Sequence, residues 1–145
     1  MDYRTYNLDE SLGYIVNRAA RSLLNRLNRN FAEAGHDATA EQWRILVHLW
    51  HQDGQRQQQL ADIICQDKTS TTRLINGLEK RNLVVRIPDT IDRRQKLIYL
   101  TPKGKELQQD LIRLAQKTLD EAQQGIEPAH IDICKNVLQR VYRNL

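Results

Sequence analysis

The hydrophobic pattern of this chain departs from helical spacing in only one stretch of its 145 residues. Up to about residue 81, and again from 102 onward, apolar residues recur three and four positions apart, which predicts amphipathic helices. Between these segments, 83–87 and 96–100 are rich in β-branched residues and flank a polar loop, which predicts one β-hairpin. The expected fold is therefore mainly α (an α+β arrangement), with six helices and one two-stranded hairpin.

Residues that favour helix ends set the bounds of the six helices. Gly35 follows the first helix, and Thr39 opens a capping box at the start of the second. Asp67 is placed to cap the fourth helix, and Thr101 followed by Pro102 opens the fifth. The expected helices span about 8–34, 40–52, 57–65, 68–81, 102–124 and 128–145.

The positive charge of the chain is concentrated in its middle third. The net charge is +4, and residues 54–105 hold 11 Lys and Arg against 5 Asp and Glu. The segments before and after each hold one more acidic than basic residue. A basic centre between nearly neutral arms is typical of a protein that binds nucleic acid.

Several classes of protein and site are disfavoured by the sequence. No 18-residue apolar run and no basic-then-apolar leader occur, so neither a membrane span nor a signal peptide is expected. Cys65 and Cys134 form no CxxC motif, which argues against structural zinc and a disulfide framework and favours the cytoplasm. No nucleophile elbow, phosphate loop or paired carboxylates occur, so we expect no enzyme, no cofactor, and no catalytic or metal site.

Residues 55–101 combine a helix pair with the hairpin, in the order of a winged helix-turn-helix. The second helix of the pair, 68–81, begins with small hydroxyl side chains next to Lys68 and Arg73. Such a helix contacts a major groove through its first residues, and its amino terminus attracts a phosphate. The hairpin loop carries Asp92, Arg93 and Arg94, so two guanidinium groups can reach the adjacent minor groove while the carboxylate braces one of them.

Several of these stretches resemble the MarR-type (multiple antibiotic resistance regulator) family of bacterial transcriptional regulators. The likeness covers 72–75 with 78–84, the wing motif at 92–94, and 100–104, and the helix order fits nearly the whole chain. The family usually has Gly at the position of Asn82. Because Asn also tolerates a left-handed backbone, the turn after the recognition helix is expected to persist.

The resemblance implies a repressor that binds a pseudo-palindromic double-stranded DNA operator as a homodimer. Residues 1–35 and 102–145 would form the helical dimerisation region and 36–101 the winged lobe, with recognition helix 68–81 in the major groove and wing 88–96 in the minor groove. The residues expected at the DNA are Lys68, Thr69, Ser70, Thr72, Arg73, Asn76, Arg86, Asp92, Arg93, Arg94 and Lys96. Those expected at the dimer interface are Leu12, Ile15, Leu111, Ile131, Cys134, Leu138 and Val141.

The resemblance also implies that a small-molecule effector sets the operator affinity. The expected lining of its pocket is Arg18, Trp43, His48 and Trp50, although the two Trp residues also suit a core. Two other inputs stay open. Cys65, at the turn before the recognition helix, would make the chain a thiol-based redox sensor, and His48 with His51 has the spacing of a metal-binding pair.

Two other functional classes compete with DNA binding. Winged helices also serve as protein-interaction modules, but these present an apolar recognition face, whereas the Thr, Ser and Arg residues here are polar. An enzyme is disfavoured by the missing motifs and by a count of only six Gly residues. Sequence-specific DNA binding without membrane contact is therefore the expected function.

Overall fold

The computed structural model describes residues 3–64 and 66–145. A short 3₁₀ turn (Leu8–Glu10) precedes α1 (Leu12–Glu33), α2 (Ala40–His51), β1 (Gln55–Arg56), α3 (Gln57–Ile63), α4 (Lys68–Lys80), β2 (Val84–Pro88), β3 (Lys96–Leu100), α5 (Pro102–Glu106), α6 (Gln108–Ala122) and α7 (Pro128–Asn144). The predicted fold class is confirmed, although the described residues form seven α-helices rather than six. None of these helices is both long and apolar enough to cross a bilayer.

The capping residues chosen from the sequence begin the helices as expected. The Thr39 hydroxyl accepts the backbone N–H of Gln42, and the Gln42 side chain accepts the N–H of Thr39 in return. Asp67 and Thr101 cap α4 and α5 through their side-chain oxygens. Each cap satisfies a donor that an α-helix leaves without an internal partner.

The turn after α4 adopts the left-handed backbone that the sequence predicts. Asn82 has φ +59°, and Leu83 donates its N–H to the carbonyl of Leu78 at 2.9 Å. This pattern is a Schellman closure, in which the chain leaves the helix through one left-handed residue. Asn therefore takes the place that Gly usually has, and the chain turns directly into β2.

Two helix bounds differ from the expectation. The sequence predicts a first helix from residue 8, but Ser11 donates its hydroxyl to the Leu8 carbonyl and then caps α1 as a new start. It also predicts an unbroken fifth helix over 102–124, but Leu107 separates α5 from α6. Leu107 keeps helical dihedral angles (φ −71°, ψ −14°) while its N–H is shared between the carbonyls of Lys103 and Lys105, so the regular hydrogen-bond ladder lapses for one residue.

A third strand joins the hairpin. β2 and β3 pair antiparallel, from Val84 opposite Leu100 to Pro88 opposite Lys96, and β1 pairs with the other edge of β3. The strand order β1-β3-β2 corrects the predicted two-stranded hairpin. β1 has only two residues, both polar, so the apolar alternation that marks a strand in sequence is missing.

One apolar core fixes the helices and the sheet to each other. Fully buried members from six different elements are Phe31, Ile45, Leu60, Ile75, Ile98 and Leu111. Burial of each such side chain contributes roughly 1.5–3 kcal/mol. α4 buries Thr71, Ile75 and Leu78 on its inner face, so the core holds α4 in place while its opposite face stays at the surface.

Gly104 allows the start of α5 to touch the turn after α4. A Cβ at this position would clash with the backbone carbonyl oxygen of Leu83. The same carbonyl accepts the N–H of Thr101 at 3.0 Å, and the Gly104 carbonyl accepts the indole N–H of Trp50 at 3.0 Å. The glycine of the 100–104 motif is therefore required by packing, and Trp50 belongs to the structural core.

Helix α7 differs from the other helices because none of its residues is buried. Ile133, Val137 and Tyr142 are each at least half exposed, and so are Leu12 and Ile15 on α1. Exposed apolar side chains in such number are typical of a surface that contacts another molecule.

Candidate nucleic-acid interface

The outer face of α4 carries the polar side chains that the sequence predicts at the DNA. The exposed members are Lys68, Thr69, Arg73 and Asn76, and the half-buried ones are Ser70 and Thr72. The Thr72 hydroxyl donates to the Lys68 carbonyl at 2.8 Å and accepts the side-chain amide of Gln57 at 2.6 Å. Thr72 therefore couples α4 to α3, while the exposed side chains are available to a partner.

The amino terminus of α4 is already occupied by a carboxylate. Asp67 accepts the backbone N–H of Ser70 at 2.7 Å and its hydroxyl at 2.9 Å. The backbone hydrogen bond from Ser70, followed by the bond from its hydroxyl, lowers the pKa of Asp67 below the ordinary 3.8. The phosphate predicted at this helix end is therefore replaced by an internal anion, and Lys68 and Arg73 are the cationic groups in the first half of α4 that remain for a phosphate.

At the wing tip, one carboxylate holds one arginine. Asp92 accepts the backbone N–H of Arg94 at 3.1 Å and its Nε–H at 3.3 Å. The Asp92 carbonyl also accepts the N–H of Gln95 at 3.0 Å, which closes the loop. The Arg94 side chain remains 91% exposed although its root is held. Asp92 thus braces Arg94 rather than Arg93, a choice that the sequence leaves open.

The base of the wing is fixed by Asp89, which sequence analysis missed. Its carboxylate is buried, and it accepts the N–H of Ile91 at 3.0 Å and the Arg56 guanidinium at 3.4 Å. Arg56 belongs to β1, so this ion pair joins the wing loop to the strand that leads into α3. An Asp directly after a Pro favours a turn in which the Asp side chain accepts the backbone N–H two residues on. The sequence Pro88-Asp89 carries this signal, so Asp89 could have been identified from the sequence.

A polar groove lies between the wing and the helix pair. It has a volume of about 420 Å³, and its charged lining residues are Arg56, Asp62, Lys68, Arg94 and Lys96. Three consecutive Gln residues, 57–59, complete one wall. Asp62 opposes these four cations, and Asp89 and Asp92 pair with two of them, so a small net positive charge remains. Its sign is complementary to that of a nucleic-acid backbone.

Arg86 does not extend into solvent, in contrast to its predicted place at the DNA. Its side chain is 19% exposed. Nη1 donates to Glu79 Oε1 at 3.2 Å, and Nη2 donates to Asn76 Oδ1 at 2.7 Å. Arg86 therefore connects β2 to α4 through Asn76 and Glu79.

Trp43 is the member of the predicted effector pocket that lines an apolar cavity. This cavity, of about 120 Å³, lies between α1, α2 and α6, with Leu23 and Leu119 in its wall. The indole N–H of Trp43 is buried and meets no acceptor among the described residues. An unpaired buried donor of this kind costs about 1–3 kcal/mol.

The other three members lie elsewhere, so the four predicted residues do not line one cavity. Arg18 is exposed on α1, His48 does not line the Trp43 cavity, and Trp50 bonds to the backbone of α5. Trp43 and Trp50 are seven residues apart on one helix, which places them about 10 Å apart along its axis, beside different neighbours. Burial is the main cause that lowers the pKa of His48, followed by the charges of His51 and Arg44.

The residues predicted at the dimer interface have different surroundings. Those that are exposed or half-buried are Leu12, Ile15, Ile131, Cys134, Leu138 and Val141. Three of them, on α7, also line a cleft of about 610 Å³ against α1 and α6 of the same chain. Leu111 is corrected to a core residue, because it is fully buried within its own chain and offers no surface to a second copy.

The thiols and histidines provide no further site in the described ranges. Cys134 is exposed on α7, and Cys65 lies outside the described residues. Within 3–64 and 66–145, no group of three or more His, Cys, Asp or Glu side chains is arranged to hold a metal ion. The pair His48 and His51 therefore gains no third ligand from these ranges.

An exposed polar second helix followed by a basic hairpin defines a winged helix-turn-helix protein. The MarR family model matches residues 38–96, from just before α2 to the first residue of β3. The HTH-type transcriptional regulator MhqR of Bacillus subtilis is 28% identical over 130 residues, which cover 90% of this chain and 88% of MhqR. The crystal structure of the transcriptional regulator PA3341 is 30% identical, covers 92% of this chain and 97% of that one, and has a TM-score of 0.77. The chain belongs to the MarR family of transcriptional regulators.

Structures of CouR have the same fold at lower identity. CouR from Rhodococcus jostii RHA1 bound to p-coumaroyl-CoA is 24% identical with a TM-score of 0.80, covering 94% of this chain and 95% of that one. The transcriptional repressor CouR bound to a 23-mer DNA duplex is 23% identical with a TM-score of 0.84, covering 98% and 99%. Because the family and its relatives are transcriptional regulators, the chain is a DNA-binding regulator and not an enzyme.

Replacing Asp67 with Ala should lower the melting temperature and the DNA affinity together, because the first turn of α4 loses its cap. Asp67→Asn is the matched control, since its side-chain oxygen still accepts the Ser70 N–H without the charge. The lowered pKa means that the charge stabilises the fold above pH 3.8 and that this contribution is lost as the pH falls through the lowered value. Thermal melts of the three proteins at neutral pH and in acid measure the effect; identical neutral melts for wild type and Asp67→Ala would contradict it.

Proposed function

We propose that this chain is a repressor that binds a pseudo-palindromic DNA operator as a homodimer. The observation that carries the proposal is the polar groove of about 420 Å³, because α4 and the wing both line it. Lys68 contributes to its wall from α4, and Arg94 and Lys96 contribute from the wing. A phosphate backbone lying along this groove would contact both elements, with α4 in the major groove and wing 88–96 in the adjacent minor groove.

In this arrangement Arg94 enters the minor groove. It is 91% exposed, and Asp92 fixes its root, so the guanidinium is presented with little conformational freedom left to lose. Arg93, which Asp92 does not hold, contacts a flanking phosphate. Lys68 and Arg73 contact the edges of the major groove from α4.

The exposed apolar surface of the two arms supports dimerisation. Its large exposed members on α1, α6 and α7 include Leu12, Ile15, Ile112, Ile133 and Val137. Residues 1–35 and 102–145 form the dimerisation region in this proposal, and 36–101 form the winged lobe. A second copy that covers this surface brings two recognition helices to half-sites about 34–36 Å apart.

A small molecule in the Trp43 cavity sets the operator affinity in this proposal. The cavity shares Leu23, Thr118 and Leu119 with the cleft of about 610 Å³ beneath α7, so the two adjoin. Their apolar walls and the unpaired indole N–H suit an aromatic ligand that carries a hydrogen-bond acceptor. Such a ligand would lie between the long helices α1 and α6 and the lobe helix α2, where it can change the angle between arm and lobe.

Replacing Arg94 with Ala should weaken operator binding about tenfold and reduce the slope of log affinity against log salt by about one, because one cation leaves the duplex. Fluorescence anisotropy of the chain's own upstream duplex, against a scrambled duplex over a salt series, measures both quantities. Asp92→Ala should give a smaller loss, since it releases Arg94 without removing it.

The matched control for this titration is Arg113→Ala, which removes an exposed arginine from α6, far along the chain from the wing. It should leave affinity and salt slope unchanged. Equal effects of the two replacements, or equal wild-type affinity for both duplexes, would contradict a sequence-reading lobe with an inserted wing.

Replacing Val137 with Glu should convert the dimer to a monomer and abolish operator binding, because a charge is placed within half-exposed apolar surface on α7. Gln139→Glu adds the same charge two residues on, nearly on the opposite face of the helix, and should leave the dimer intact. Sedimentation equilibrium reports the mass of each protein. A Val137→Glu protein that remains a dimer and binds the operator would exclude this face of α7 from the interface.

A ligand in the Trp43 cavity should quench the fluorescence of Trp43 and lower operator affinity in the same concentration range. Titrating a panel of aromatic acids and phenols against wild type and Trp43→Phe tests this, because Phe keeps an aromatic ring but lacks the N–H donor. Trp50→Phe is the control and should still respond, since its indole bonds to Gly104 instead. A ligand that acts equally on wild type and Trp43→Phe would place the effector site elsewhere.

A further inference from the structure

Arg86, Asn76 and Glu79 form a cluster that joins the wing strand to the recognition helix. Nη2 of Arg86 donates to Oδ1 of Asn76 at 2.7 Å, and Nη1 donates to Oε1 of Glu79 at 3.2 Å. Asn76 and Glu79 are one turn apart on α4, and Arg86 reaches both from β2. The Arg86 side chain is 19% exposed, so the Glu79 carboxylate balances a charge that is largely removed from solvent.

This cluster fixes the orientation of the Asn76 amide. A guanidinium can only donate hydrogen bonds, so the amide turns its oxygen, and not its nitrogen, toward Arg86. The amide nitrogen then lies on the outer side, and it donates to no acceptor among the described residues. Asn76 borders a shallow depression of about 410 Å³ that Lys68, Thr69 and Arg73 also line.

We propose that Asn76 contacts a base edge as a pure hydrogen-bond donor, and that Arg86 is the positioning residue that sets this polarity. The inference rests on the proposed binding of α4 in the major groove. There, guanine offers two adjacent acceptors, O6 and N7, whereas adenine pairs with an amide through one acceptor and one donor. Because Oδ1 faces Arg86, the adenine arrangement is disfavoured. Guanine, which offers two acceptors where thymine offers only O4, is the base that Asn76 selects.

The same geometry removes Arg86 from the phosphate contacts. Both of its terminal nitrogens have acceptors within the protein, and the Glu79 carboxylate beside it repels a phosphate. A residue that binds a phosphate changes the salt dependence of binding, whereas a residue that orients a base contact changes the sequence preference. The two roles are therefore separable by measurement.

The test begins with the selection of duplexes from a randomised pool by wild-type protein. Anisotropy titrations then follow, with each base pair of the selected operator replaced in turn. Wild type should require guanine at one position of each half-site, and adenine there should weaken binding about tenfold. 7-Deazaguanine, which lacks the N7 acceptor, should also weaken binding when placed at that position.

Three variants distinguish the roles. Asn76→Asp presents an oxygen to the duplex while still accepting from Arg86, so the preferred base should change from guanine to one that donates, cytosine or adenine. Arg86→Gln releases the amide and should largely abolish the guanine preference with the salt slope unchanged. Glu79→Gln keeps the bond from Arg86 to Asn76 and is the matched control, which should retain the preference. Thermal melts establish whether each variant folds. If Arg86→Gln unfolds, Asn76→Asp still tests the inference, because Asn76 is exposed and its replacement does not disturb the core.

Three results would overturn the inference. The first is an adenine preference in wild type, and the second is a guanine preference that survives Asn76→Asp. The third is an Arg86→Gln protein that keeps its base preference while its salt slope falls by about one, which would make Arg86 a phosphate contact. If wild type selects no sequence from the pool, the proposed operator binding is wrong, and the inference is wrong with it. This result differs from the three above, in which operator binding holds and only the inference is wrong.

Discussion

The backbone carbonyl of Leu83 joins three parts of the protein at one point. It accepts the N–H of Thr101 at 3.0 Å, lies against Gly104, and follows directly on the left-handed turn at Asn82. The exit of α4, the end of the wing and the start of α5 therefore share one backbone contact. The Thr101 hydroxyl reinforces this contact by donating to the Asn82 carbonyl at 2.6 Å. Separating the recognition helix from the wing here would break hydrogen bonds whose unpaired groups cost about 1–3 kcal/mol each when buried.

Acidic side chains hold three of the arginines in and beside the interface. The pairs are Arg94 with Asp92, Arg56 with Asp89, and Arg86 with Glu79. An exposed pair such as Arg94 with Asp92 contributes only about 0–1 kcal/mol to stability, so its main effect is on orientation. The interface has a weaker positive field than its arginines alone would give, and a more fixed geometry. In the proposed complex, this combination would favour discrimination between DNA sequences over general attraction to DNA.

The sequence predicts the features whose causes lie within a few residues, such as the helix caps, the hairpin and the left-handed Asn82. It does not predict β1, because two polar residues form a strand only when β3 offers them an edge. The sequence also does not predict that Leu111 is buried within its own chain, because its spacing along the helix would be the same if a second copy covered it. The same limit applies to the interface, since an Arg at position 86 suits a phosphate or Glu79 equally well until the tertiary structure brings α4 beside β2.

β1 runs without interruption into α3 and pairs with β3 on its free edge, and Arg56 also reaches the wing loop through Asp89. The helix pair and the wing are thereby connected both through β1 and through Arg56. These connections restrict how far the wing tip can move relative to the outer face of α4. A duplex whose grooves are spaced differently must bend or twist to meet both elements, and the energy of that deformation depends on base steps that the protein does not touch. In the proposed complex, the lobe would therefore select for DNA flexibility as well as for base identity.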